Sequence, residues 1–155
     1  MHERFQEYLS HLEPAFSSLV NMTPVKFGTL PRDVPERGIY LFSEAGTHLY
    51  VGRTNRLKRR LAGHCRPSSN HFSATFAFRI ARQETGILKA TYSSEGSRAS
   101  LVKDPVFGPV FAAAKNRVAM MDLRFVEEKD PVRQTLLEVY TAIALHTPYN
   151  DFDNH

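Results

Sequence analysis

Residues 37–64 read RGIYLFSEAGTHLYVGRTNRLKRRLAGH. Two short β-type runs, Gly38–Ser43 and His48–Thr54, flank EAGT, which contains a glycine. That pattern predicts an antiparallel hairpin. Alternation along the second run places Leu49, Val51 and Arg53 on one face and His48, Tyr50 and Gly52 on the other. Thr54 or Asn55 then offers an N-cap for a helix over Arg56 to His64. Leu57 and Leu61, four apart, turn inward on that helix, while Arg60 and His64 share a neighbouring face. Two phenols, Tyr40 and Tyr50, thus precede a dense run of cations, and the segment asks why.

Outward from this segment the chain is mostly helical. Before it, Phe5, Tyr8, Leu9, Leu12, Phe16, Leu19 and Val20 recur at helical spacing, with Pro14 predicting a kink or two short helices. Prolines at 24, 31 and 35 mark an irregular connector. After it come a helix over His71–Arg82, a polar, flexible stretch at Glu84–Ser100, and a helix from Pro105 to Met120. Met121–Glu128 alternates as a third strand, with Leu123 and Phe125 on one face. Asp130 caps a last helix that has Pro131 at its first position and ends near His146. Leu136, Leu137, Tyr140, Ile143 and Ala144 are its expected buried stripe. The fold class is α/β (α+β): a small, mainly antiparallel three-stranded sheet flanked by helices. The expected organisation is one domain over 1–155, with an N-terminal helical arm at 1–30 and a helical insertion at about 66–120.

With 155 residues, 42% of them hydrophobic and 23% charged, the chain matches an ordinary globule large enough to bury a core. It lacks an apolar run of membrane-spanning length. MHERFQEYLSHLE places charges where a signal peptide has its apolar centre, so a cytoplasmic location is expected. The single cysteine, Cys65, excludes an internal disulfide and a CxxC zinc site. Net charge is only +4, but its placement is uneven. Arg53, Arg56, Lys58, Arg59, Arg60 and Arg66 fall within residues 50–66, which hold no acidic residue; elsewhere 14 basic side chains face 16 acidic ones. A cationic face of this kind attracts polyanions.

Gly38-Ile39-Tyr40, followed after nine residues by Tyr50-Val51-Gly52, resembles the signature of the GIY-YIG nuclease superfamily, with Val as its middle residue. Arg60 stands eight residues past Gly52, where that family has its arginine, and His64 follows four later. Glu138 in the C-terminal helix, with Asn150 twelve residues on, resembles the family's metal-binding Glu and later Asn. The resemblance implies an endonuclease acting on DNA with one divalent cation, Mg²⁺ or Mn²⁺, at Glu138. It implies Tyr40 as general base, with Tyr50 orienting the water or phosphate. RNA is the alternative substrate, and a non-cleaving nucleic-acid-binding module of the same fold is the alternative function. The family's compact members bring the Glu soon after the arginine helix, whereas here 73 residues separate His64 from Glu138.

The chemistry agrees with these assignments. Phosphodiester hydrolysis needs a deprotonated water in line with the leaving oxygen, neutralisation of the phosphate, and help for the departing oxyanion. The planar fork of Arg60 matches phosphate oxygens and stays charged at any relevant pH. A carboxylate such as Glu138 suits a hard cation that keeps most of its waters, and one carboxylate alone binds metal poorly until nucleic acid arrives. An unperturbed phenol is only about 0.1% ionised at pH 7, so Tyr40 needs Arg60 to favour phenolate and His64 to accept its proton. Arg53, Arg56, Lys58, Arg59 and Arg66 are the candidate backbone contacts. Asn150 is expected to hydrogen-bond backbone and stiffen the site. Taken singly, each residue has a plainer reading: strand tyrosines, a solvated basic face, a surface glutamate. His2, His11, His48, His71, His146 and His155 read as structural or surface, with His71 a minor catalytic competitor. Phe72, Phe76, Phe78 and Ile80 read as core.

Overall fold

The computed structural model describes residues 1–88 and 96–153. In chain order its elements are α1 (Glu3–Leu9), α2 (Leu12–Asn21), β1 (Gly38–Glu44), β2 (Thr47–Thr54), α3 (Leu57–Cys65), α4 (Thr75–Thr85), α5 (Arg98–Lys103), α6 (Phe107–Ala119), β3 (Asp122–Glu127) and α7 (Pro131–Leu145). The three strands form one antiparallel sheet in the order β2-β1-β3, flanked by helices, as expected. The chain divides into two compact units, one of Met1–Lys58 with Met121–His155 and one of Arg59–Met120.

The first unit holds the sheet. Ala45 and Gly46 both take positive φ, 49° and 79°, which makes the two-residue turn whose twist matches the strands it joins. Each hairpin strand therefore runs one residue further than the apolar pattern indicates. The pairing slips between Phe42 and Ser43, and past that irregularity Tyr40 stands opposite Gly52 and Ile39 opposite Arg53. Gly38 to Ser43 is buried along its whole length, which is why this central strand reads as a continuous apolar run. Ile39, Leu41 and Val51 pack with Leu12 and Leu19 of α2 and Leu137 and Ala142 of α7. Each such aliphatic side chain taken fully from water contributes about 1.5–3 kcal/mol. Val25 exchanges backbone hydrogen bonds with Leu123, tying the proline-marked connector to β3.

Two helical expectations shift. The N-terminal segment is two helices, but the break falls at Ser10–His11, and Pro14 sits in the first turn of α2, where a missing N–H costs no intrahelical bond. In α7 Asp130 accepts from Val132 N and Arg133 N at 2.9 Å each and Pro131 opens the helix, as expected. The buried stripe is rotated from the expected one: it runs through Gln134, Leu137, Thr141 and Ala142, leaving Ile143 66% exposed and Ala144 exposed. Two polar residues on the core-facing side misdirect a reading based on apolar spacing. Gln134 is satisfied there, with Nε2 donating to Glu128 O at 2.7 Å and Asn55 Oδ1 at 3.1 Å.

The second unit is helical. Phe78 of α4 meets Phe107 and Phe111 of α6 at centroid distances of 5.0 and 5.6 Å. Phe76, Phe78 and Ile80 are core, as expected, but Phe72 is 71% exposed. The reason is local: α4 begins at Thr75, because Asn70 Oδ1 accepts from Phe72 N and Ser73 N and holds residues 71–73 in a turn. Asp104 Oδ1 likewise accepts from Val106 N and Phe107 N at the start of α6, and these bonds lower its carboxyl pKa. Of the polar stretch expected at Glu84–Ser100, Thr85 ends α4, Arg98 begins α5 under a Ser97 cap, and residues 89–95 lie outside the described residues. His155 lies outside them as well.

Candidate active site

Tyr40 and Gly52 are the cross-strand pair on which the hairpin's chemistry turns. A Cβ on Gly52 would overlap the hydroxyl and Cζ of Tyr40, so the phenol lies across the backbone of β2, toward the sheet's outer edge. Only glycine permits that approach. Tyr50 tilts toward Tyr40 at 6.3 Å between centroids, and Phe42 meets Tyr40 edge-on at 5.9 Å. Tyr40 is 1% exposed and Tyr50 is half-buried.

Glu138 reaches the same end of β2 from α7. Burial of Leu137 against the sheet turns its neighbour Glu138 to the strand, where Arg53 Nε donates to Glu138 Oε2 at 3.1 Å across 85 positions of sequence. Val51 and Arg53 share the face that α7 covers, whereas Tyr40, Tyr50 and Gly52 share the other. The carboxylate and the phenols thus approach β2 at adjacent residues, 53 and 52, from its two faces. Burial raises the Glu138 carboxyl pKa above the ordinary carboxylate value, while the charge and hydrogen bond of Arg53 oppose the shift.

Asn150 closes the edge. Its Oδ1 accepts from Val51 N at 3.0 Å and from Thr147 Oγ1 at 2.8 Å, and its Nδ2 donates to Val51 O at 2.8 Å. Tyr149 N donates to Leu49 O beside it. The side-chain amide thereby mimics one residue of a fourth strand and satisfies backbone groups that an edge strand leaves open. Thr147, buried, and Gln134 are supporting residues that motif reading did not single out. A polar residue at core spacing in α7 was the signal for Gln134; Thr147 carries none beyond its place before Pro148.

Arg60 and His64 belong to the second unit. Arg60 Nη1 donates to Ser73 O at 3.0 Å and Nη2 to Thr75 Oγ1 at 2.9 Å, which fixes the guanidinium at the start of α4. His64 is fully buried, and burial first, then the charge of Arg60, hold its pKa well below 6.5, so its imidazole is neutral at pH 7. Burial pushes the Cys65 thiol up to about 12, which removes it as a nucleophile. Arg53, Arg56, Lys58, Arg59 and Arg66 are all exposed. Thr54 rather than Asn55 holds the entry to α3: its Oγ1 accepts from Arg56 N at 3.0 Å. Among the other histidines, His2 Nδ1 accepts from Arg4 N at the start of α1, His48 Nδ1 lies 2.7 Å from Ser43 Oγ, and His146 ends α7 with φ of 51°.

Among the described residues no three or more His, Cys, Asp or Glu side chains gather as a metal cage. The donor chemistry at Glu138 is one partly buried carboxylate, which fits a cation that keeps most of its waters and takes further oxygens from phosphate.

Residues 36–96 match the family model described as the GIY-YIG catalytic domain. No curated protein and no solved structure matches the chain. The matched segment holds both tyrosines, the basic stretch, Arg60 and His64; Glu138 and Asn150 lie beyond it. That family implies a nuclease-type function on a nucleic-acid substrate, and among the described residues no helix is long and apolar enough to cross a membrane. Over residues 36–96, its hairpin and the basic helix that follows, the chain is similar to the GIY-YIG catalytic domain.

Proposed function

We propose that the chain is an endonuclease that hydrolyses DNA phosphodiester bonds with one divalent cation, Mg²⁺ or Mn²⁺. The observation that carries this reading is the ion pair between Arg53 and Glu138, which brings the distant carboxylate to the strand that carries the Tyr50-Val51-Gly52 motif. Tyr40 is the base: its hydroxyl, set over Gly52 in a packed ring cluster, takes the proton of the attacking water. Tyr50 orients the water or the phosphate. Arg60 meets the phosphate charge with its fork; His64, expected to take the phenolic proton, is held neutral by burial and by Arg60, which makes it a poor proton acceptor. Asn150 acts through Val51, keeping β2 in place. A cation at Glu138 would offset phosphate charge and stabilise the leaving oxygen. Arg53, Arg56, Lys58, Arg59 and Arg66 add affinity for the nucleic-acid backbone.

The test is plasmid nicking with Mg²⁺ or Mn²⁺. Cleavage is expected, lost in Glu138→Ala and Arg60→Ala with folding intact, and reduced roughly 10²–10⁴-fold in Tyr40→Phe. Undiminished cutting by purified Glu138→Ala would discredit the carboxylate's role. A second reading, a nucleic-acid-binding module without cleavage, is favoured by the near-complete burial of Tyr40. It predicts duplex binding with no nicking under any metal. Competition between matched DNA and RNA duplexes decides the substrate.

A further inference from the structure

The basic stretch and the carboxylate meet in one contact, Arg53 Nε to Glu138 Oε2 at 3.1 Å. Resting on the reading of Glu138 as the cation's carboxylate, we propose that Arg53 is a positioning residue that keeps Glu138 closed to metal until a phosphodiester draws the guanidinium away.

The two partners differ in freedom. Glu138 follows the buried Leu137 on α7, and its side chain is 21% exposed; Arg53 lies near the end of an edge strand and is 45% exposed. Arg53 is thus the partner that can swing into solvent. A half-exposed ion pair is weak, and a gate requires a weak latch. A phosphodiester outcompetes the carboxylate for Arg53, because the Glu138 contact is a single Nε–Oε2 hydrogen bond, whereas a phosphodiester offers two oxygens to the fork and its binding releases counterions. Once Arg53 departs, a partly buried carboxylate is left without its compensating charge, which is costly. A hydrated divalent cation restores that compensation. Metal and nucleic acid therefore raise each other's affinity, and by linkage they do so equally.

The experiment reads metal affinity without nucleic acid and without turnover. Mn²⁺ binding is followed by the loss of its free-ion electron paramagnetic resonance signal in wild type, Arg53→Gln, Glu138→Gln and the double variant. Arg37→Gln is the charge control: Arg37 is exposed and adjoins Gly38, which pairs with Thr54, but it is not a partner of Glu138. Arg53→Gln is expected to bind Mn²⁺ roughly 5- to 50-fold more tightly than wild type, within the usual range of site coupling. Arg37→Gln should stay within about 2-fold, because exposed charges at a distance are screened. The gain should vanish in the double variant. Unchanged affinity in Arg53→Gln, an equal gain in Arg37→Gln, or a gain surviving Glu138→Gln would each overturn the proposal. Circular-dichroism melts establish that each variant is folded, and Arg53→Met repeats the measurement with a different neutral side chain. Wild-type nicking, run separately, speaks to the nuclease reading alone: its failure would sink that reading, whereas the Mn²⁺ isotherms decide the latch.

Discussion

Gly52 has no side chain, yet it decides where the Tyr40 oxygen lies. A methyl at position 52 would occupy the space of the phenol's hydroxyl and Cζ, so either the ring leaves its rotamer or β2 bends away. Gly52→Ala should therefore destabilise the protein by about 1–3 kcal/mol and abolish nicking. The mechanism is open to a double-mutant cycle. Tyr40→Ala removes the obstructing ring at a cost of about 3–5 kcal/mol, and in that background Gly52→Ala should be far cheaper than in wild type. Denaturant melts of the four proteins measure the coupling. Additive losses would mean that strand bending, not the ring, carries the effect. Tyr40→Phe would not relieve the clash, because Cζ remains.

At the scale of the element, the outer edge of β2 depends on a side chain 99 positions away. Asn150 supplies both an acceptor and a donor to Val51, which a carboxylate cannot do. Asn150→Asp keeps the acceptor but turns a carboxylate toward the Val51 carbonyl, which should cost about 1–3 kcal/mol. Amide exchange at Val51 should rise with it; exchange unchanged from wild type would show that the amide does not hold the edge. Local signals in the chain reach this far unevenly. The hairpin was legible because Tyr-rich runs, a Gly-containing turn and period-two alternation all agree. The start of α7 was legible because Asp130 and Pro131 are strong caps. The start of α4 was not, since Asn70 diverts His71–Ser73 into a turn that helical periodicity does not register. The rotation of α7 was hidden by Gln134 and Thr141, polar residues on its buried side. Arg53's partner was also illegible: an exposed cation on a strand carries no mark of the carboxylate it will meet. The motif spacing named Glu138 and Asn150, but only packing set how each reaches β2.

Across the whole molecule, stability should depend on pH through His64. Its folded pKa is held well below 6.5 by burial and by Arg60, whereas in the unfolded chain it returns to about 6.5. Below that value the unfolded chain takes up a proton that the folded state refuses. Stability is therefore full above about pH 6.5 and falls as the pH drops beneath it. The carboxyl of Glu138 acts with the opposite sign. Its raised folded pKa means that the folded state holds its proton to higher pH than the unfolded chain, so this group lowers stability as the pH rises above the ordinary carboxylate value. The two effects are separable by variant. Between pH 7 and 5 the melting temperature of wild type should fall more steeply than that of His64→Asn, which keeps a neutral polar group but cannot titrate. Glu138→Gln should keep the fall set by His64 and lack the loss of stability that wild type shows as the pH rises above about 4.3. Parallel melting curves for wild type and His64→Asn between pH 7 and 5 would mean that the imidazole accepts its proton in the folded state, and the burial-held neutral state of His64 would be lost with it.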